Sequence, residues 1–140
     1  MKTVMKMFIV ALCVAFASCN GTDTTVASLK NKEWKLQQVT SNGAALNNPV
    51  ELPELQFADS SKVAGSAGCN RFFGSYEAND KGLISIKLGG STMMMCPDMD
   101  FEEQYLKLLP QIASFAIEGK TLSLKSEDGK IVISYTLSAE

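Results

Sequence analysis

The residues best suited to chemistry carry sulfur and fall in two short stretches: Cys69, and then Met93, Met94, Met95, Cys96 and Met99. In an oxidising compartment an isolated cysteine pair is more often bridged than free. Closing Cys69 to Cys96 would stabilise the fold by about 3.5 kcal/mol in the chain-entropy model. Two buried thiols packed as small hydrophobes are the plain alternative. A soft-metal site is the third reading, because thioethers beside a thiolate are what Cu(I) prefers. On a strand, however, Met93 and Met95 point one way and Met94 and Cys96 the other. One face must then go to the core, leaving too few ligands to converge. Cys69 and Cys96 also lack the close Cys-x-x-Cys spacing that depresses a thiol pKa in redox enzymes.

The polar residues offer less. Gly65, Gly68 and Gly74 flank Asn70 and could free backbone amides for an anion. A tight corner is the simpler expectation, with glycine permitting positive φ or close strand approach and Asn70 bonding the turn's own backbone. Arg71 reads as a solvated side chain rather than a phosphate contact. Asp98, Asp100, Glu102 and Glu103 form a run of carboxylates, but consecutive helical positions spread around the axis and do not converge. They are expected to serve a helix start. The chain has no histidine, which removes Ser-His-Asp and Cys-His nucleophile systems and the usual zinc hydrolase sites. No catalytic residue, metal or cofactor is therefore expected. Thirteen basic against fifteen acidic residues give −2, a poor match for nucleic acid.

These residues need a scaffold. At 140 residues, 46% hydrophobic and 20% charged, the chain suits one folded domain. Its first stretch is different in kind. Lys2 and Lys6 precede an unbroken apolar run, Met7 to Phe16, too short to span a hydrocarbon core of about 30 Å. Its flanks are those of a secretory signal, and Phe16-Ala17-Ser18-Cys19 resembles the lipobox of bacterial lipoproteins. That resemblance implies cleavage of residues 1–18 as a signal peptide and acylation of Cys19. The processed chain has 122 residues and a charge of −4. Residues 19–31 would then hold the lipidated cysteine and a flexible tether, Asn20 to Ser28 being small and polar, and residues 32–140 the domain. Asn20 is not the acidic residue that tends to retain lipoproteins in the inner membrane, so an outer-membrane anchor facing the periplasm is favoured.

Within the domain, alternation predicts strands. Glu33 to Val39 places Trp34, Leu36 and Gln38 on one face. Residues 41–50 read as a loop. Glu54 to Ala58, Lys62 to Ala67 and Phe72 to Ala78 follow, the last with Phe72 or Phe73 and then Tyr76 inward. Leu83 to Leu88 alternates strictly until Gly89-Gly90 interrupts it, and Ser91 to Cys96 continues extended. The period then changes: Phe101, Tyr105, Leu108, Leu109 and Ile112 form one helical stripe, with Asp98 or Asp100 capping its start and Pro110 ending it near Leu109. Ser114 to Glu118, Thr121 to Ser126 and Lys130 to Leu137 alternate again. The expected fold is α+β and mainly β: a small antiparallel barrel or strongly bent sheet of seven or eight strands, with one helix before the last three.

Three stretches together resemble the META domain, the family of HslJ-like bacterial lipoproteins. They are Trp34-Lys35-Leu36; then Gly65 to Tyr76, with Gly68-Cys69-Asn70-Arg71-Phe72-Phe73-Gly74 and Tyr76 close to the family's Gly-Cys-Asn-x-Phe-x-Gly-x-Tyr segment; and Thr92, Met93, Met95 and Cys96 followed by a helix with Glu103 and Tyr105. The resemblance implies a compact β-rich fold and a role in envelope stress or secretion, and it brings no catalytic residues. The leading expectation is a non-enzymatic envelope lipoprotein, held to the membrane by lipid and binding a protein partner or an apolar ligand. The alternative is a periplasmic Cu(I)- or redox-responsive protein using Cys69, Cys96 and Met93 to Met95.

Overall fold

The computed structural model describes residues 21–97 and 99–139. The segment expected to be cleaved, and Cys19 with it, lies outside the described residues. Nine strands form one sheet among them: β1 (Glu33–Ser41), β2 (Ala44–Ala45), β3 (Glu54–Phe57), β4 (Lys62–Ser66), β5 (Arg71–Ala78), β6 (Ile84–Ser91), β7 (Ile112–Glu118), β8 (Thr121–Ser126) and β9 (Ile131–Leu137). Their order is β6-β5-β4-β3-β1-β9-β8-β7, with β2 paired to β1, and every pairing is antiparallel. The sheet curls into an open half-barrel. Its two outer strands draw together at one end, where Leu83 bridges Ser114 and the Phe115 amide donates to the Gly82 carbonyl at 2.9 Å.

One inner face explains the alternation. Trp34, Leu36, Leu55, Phe57, Val63, Phe72, Tyr76, Ile84 and Ile86 from the first half meet Phe115, Leu122, Leu124, Ile133 and Tyr135 from the second, all buried. Helix α2 (Asp100–Leu108) lays Phe101 and Tyr105 onto this core, and a single 3-10 turn (Leu109–Gln111) carries the chain over Pro110 into β7. Proline lacks the amide that would extend the helix, so the stop at Leu109 follows from it.

The departures from simple alternation are bulges. In β1 the register slips between Leu36 and Gln38, so Val39 rather than Gln38 turns inward and Gln38 is exposed. Gly89-Gly90 does not end β6; Gly89 is the extra residue of a bulge opposite Phe73 and Gly74, and pairing resumes to Ser91. A third slip, between Ile112 and Ser114, lets β7 begin two residues earlier than alternation suggests. An inserted residue moves every later side chain to the other face, which is why period-two patterning misplaces them. The stretch 41–50 is not all loop, since the turn at Asn42-Gly43 folds Ala44 and Ala45 back on Ser41 and Thr40. Residues 92–97, by contrast, leave the sheet and are irregular.

The N-terminal segment also differs from a free tether. Asp23 and Ile117 exchange backbone hydrogen bonds of 2.7 and 2.8 Å. Thr24 Oγ1 and the Val26 amide donate to the carbonyl and carboxylate of Asp80. Helix α1 (Val26–Leu29) then buries Leu29 completely, its carbonyl accepting from the Trp34 indole. From Asp23 onward the chain is fixed to the sheet.

Candidate functional site

The stretches that carry the sulfur atoms meet at one end of the half-barrel. The corner between β4 and β5 turns on Gly68, whose φ of +113° suits only glycine. Cys69 follows, joined to Cys96 as a disulfide with Cα atoms 6.1 Å apart. Gly74 serves a close approach instead: a Cβ there would overlap the Lys87 carbonyl oxygen on β6.

Asn70, buried beside the disulfide, organises the corner. Its Oδ1 accepts from Thr92 Oγ1 at 2.9 Å and from the Met94 amide at 2.7 Å. Its Nδ2 donates to the Met94 carbonyl at 3.0 Å and to Glu102 Oε2 at 2.7 Å. Its own amide donates to Glu102 Oε1 at 2.6 Å. Every hydrogen-bonding position of the Asn70 side chain is thereby used. The expected bond from Asn70 to its own turn is made only by its backbone carbonyl, which accepts from Ala67. The side chain instead fastens residues 92–94 and α2 to the corner.

Glu102 is the residue that sequence reasoning missed. The carboxylate run was expected to serve the helix start, and Asp100 and Glu103 do stay in solvent, but Glu102 is 4% exposed and faces Asn70. Met99 occupies the N-cap position with no side-chain cap, so Asp100 does not cap, and Asp98 lies outside the described residues. No local signal marked it, because Glu102 lies one position off the stripe of Phe101 and Tyr105 and its partner is 32 positions earlier. Burying a carboxylate is tolerated when several donors meet it, and Asn70 supplies two.

The methionines are the second surprise. Neither face of residues 93–95 enters the core: Met93 and Met95 are 87% exposed and Met94 is 55% exposed. Their backbone is nonetheless pinned through Met94 to Asn70 and through Cys96 to Cys69. Large apolar side chains exposed together on a fixed backbone usually mark a contact surface. Beside them runs a mainly apolar groove of about 350 Å³, lined by Pro49 to Glu51, Ala67 to Cys69, Cys96, Pro97 and Glu102. Val50 is fully open at its edge. With Cys96 bridged, its sulfur is not the thiolate that a Cu(I) site would need.

The remaining motif residues divide by role. Tyr76 is buried edge-on to Phe57, at 4.9 Å between ring centres, and its hydroxyl donates to the Ala58 carbonyl at 2.8 Å. Phe73, 61% exposed, lies over the Gly89-Gly90 bulge. Thr92 Oγ1 also accepts from the Arg71 amide at 3.1 Å, while the Arg71 side chain is in solvent. Met99 is half-buried at the start of α2. No cluster of three metal-ligating His, Cys, Asp or Glu residues occurs among the described residues.

A family model described as the META domain matches residues 27–138. No curated protein matches the chain. Among solved structures, an NMR structure of a protein from Burkholderia xenovorans is similar with a TM-score of 0.69 at 24% identity, over 81% of this chain and 86% of that one. A crystal structure of a DUF4847 family protein from Bacteroides vulgatus gives 0.60 at 13% identity, over 80% and 96%. Another NMR structure gives 0.57 at 25% identity, over 79% and 92%.

Proposed function

The chain belongs to the META domain family, and from that premise we propose that it is a non-enzymatic lipoprotein of the bacterial envelope that works by binding a protein partner. Acylated at Cys19, it sits on the outer membrane facing the periplasm and supports envelope stress tolerance or secretion. The observation that carries the reading is the exposed Met93-Met94-Met95 segment on its rigid footing. A side chain kept open to water at this size is explained by something that covers it in use.

Two further features support binding over catalysis. The polar groups at the corner are spent on one another, since Asn70 has no hydrogen-bonding position left for a substrate. The inside of the half-barrel, where an apolar ligand could be sheltered, is filled by Trp34, Phe57, Tyr105 and Tyr135. Binding therefore falls to the outer surface.

Palmitate labelling in a bacterial host, followed by membrane fractionation, tests the anchor. Label in the outer membrane that disappears in Cys19→Ser is expected; an unlabelled, soluble protein overturns it. The binding face is tested by a Met93→Ser, Met94→Ser, Met95→Ser variant, lipidated and folded, in a strain lacking the gene. Failure to restore stress tolerance is expected, and full restoration overturns the assignment of this face.

A further inference from the structure

We propose that the groove beside the methionines receives an apolar peptide segment flanked by basic residues, presented by a second envelope protein. The inference rests on the lipid-anchored reading above and names the partner that the same face fits.

Orientation follows from the length of chain available. Asp23 is already bonded to Ile117, so an anchor at Cys19 has only four residues of slack, a reach of about 14 Å at most. Asp23 lies at the end of the half-barrel where Asp80 holds Thr24 and Val26, beside the β5–β6 turn. The corner of Gly68 to Asn70 lies at the opposite end of β5, whose eight residues span about 25 Å. A tether that short keeps the Asp80 turn near the bilayer, with the Gly68 to Asn70 corner at the far end of β5 from it. The tether itself is too short to fold back over the groove.

Charge selects among the occupants that remain. No lysine or arginine lines the groove. Glu51 stands at its rim, and Glu102 of α2 forms part of its wall. The carboxylate of Glu102 is already held by Asn70, which leaves Glu51 as the free acid of the groove, with no cation among the lining residues. Apolar walls with Glu51 at the rim favour a segment that buries aliphatic side chains and sets lysine or arginine against that carboxylate. Glu51 likewise disfavours the anionic headgroups of a bilayer.

The test uses the lipidated full chain in nanodiscs of phosphatidylcholine and three short fluorescent peptides: alternating Leu and Lys, alternating Leu and Glu, and alternating Ser and Lys. Fluorescence anisotropy, corrected for empty discs, is expected to show the Leu-Lys peptide bound about tenfold more tightly than either of the others. Met93→Ser with Met95→Ser should remove the preference for the Leu-Lys over the Ser-Lys peptide. Glu51→Lys should weaken the Leu-Lys peptide and strengthen the Leu-Glu peptide, with native circular dichroism retained. Equal binding of the three peptides, or a preference untouched by the methionine substitutions, overturns the proposal. So does a dimer in native mass spectrometry that those substitutions abolish, which would make the occupant a second copy. Aggregation of anionic vesicles that they abolish would make it a second membrane, with the same result. Peptide binding and palmitate incorporation are read separately. Lost peptide preference with lipid on Cys19 therefore overturns this inference alone, whereas absent lipid overturns the anchored reading.

Discussion

Glu102 holds Asn70 at two points, one carboxylate oxygen taking the backbone amide at 2.6 Å and the other the side-chain amide at 2.7 Å. Glutamine at this position keeps one acceptor and turns an NH2 toward a donor. Glu102→Gln is therefore expected to destabilise the fold by about 1–3 kcal/mol, the range for a buried group left unpaired. Urea denaturation should show a lower midpoint with an unchanged slope. Hydrogen exchange at the Met94 amide should quicken, because Asn70 links the two.

The Cys69–Cys96 bridge closes a loop between residues 27 apart in sequence. Cys69→Ser with Cys96→Ser is expected to lower stability by up to about 3.5 kcal/mol. Protein isolated without reductant should have an intact mass two hydrogens lower than reduced protein. The serine variant should still fold, since Asn70 retains its bonds to Thr92, Met94 and Glu102.

Tyr105 and Tyr135 share a hydrogen bond of 2.7 Å between their hydroxyls, both fully buried. Tyr135→Phe leaves the other hydroxyl without its partner and should be destabilising by about 1–3 kcal/mol. Phe at both positions should recover part of that loss, a coupling that a double-mutant cycle reads directly. Burial pushes both phenols up from the ordinary 10.0, and for Tyr135 the neighbouring Tyr105 adds to it. A group whose folded value is raised contributes stability that is complete below pH 10 and is lost as the pH climbs toward the folded value. Alkaline titration of tyrosine absorbance should thus show two phenols that ionise only as the protein unfolds.

Asp23 behaves in the opposite sense. Its carboxylate accepts from the Ser28 hydroxyl foremost, and from the Thr25 amide and hydroxyl, which holds it below the ordinary 3.8. The contribution of a depressed carboxyl is complete above its unfolded value and fades as the pH falls through its folded one. The N-terminal segment should loosen below about pH 4 before the sheet unfolds, seen as faster exchange of the Thr25 amide. Asp23→Asn should bring the loosening to neutral pH.

How far the sequence carried depended on whether a residue answered to its neighbours or to distant ones. Trp34, Ile84, Ile86, Leu122 and Leu124 alternate because one face of a sheet is buried, and Phe101, Tyr105 and Leu109 recur at helical spacing, so strands and helix were legible. Bulges at Gln37, Gly89 and Ala113 were not, because a single extra residue leaves no local mark in an apolar run. Glu102 was illegible for another reason: its burial depends on an asparagine 32 positions earlier. Alternation put one face of Met93 to Cys96 in the core, but residues 92–97 leave the sheet and all three methionines stand in solvent, their backbone held by Asn70 and Cys96. Residues 23–31 read as tether because polar side chains do not reveal where their backbone amides will bond.

The meeting of the two outer strands bears on crowding. A sheet with open borders offers rows of unpaired amides and carbonyls on which a neighbour can build. Here Leu83 and Ser114 join the borders, and Asp23 occupies the backbone of Ile117. At that end the outer strands are thus closed against a neighbouring edge, and a second copy would find no free ladder there to extend.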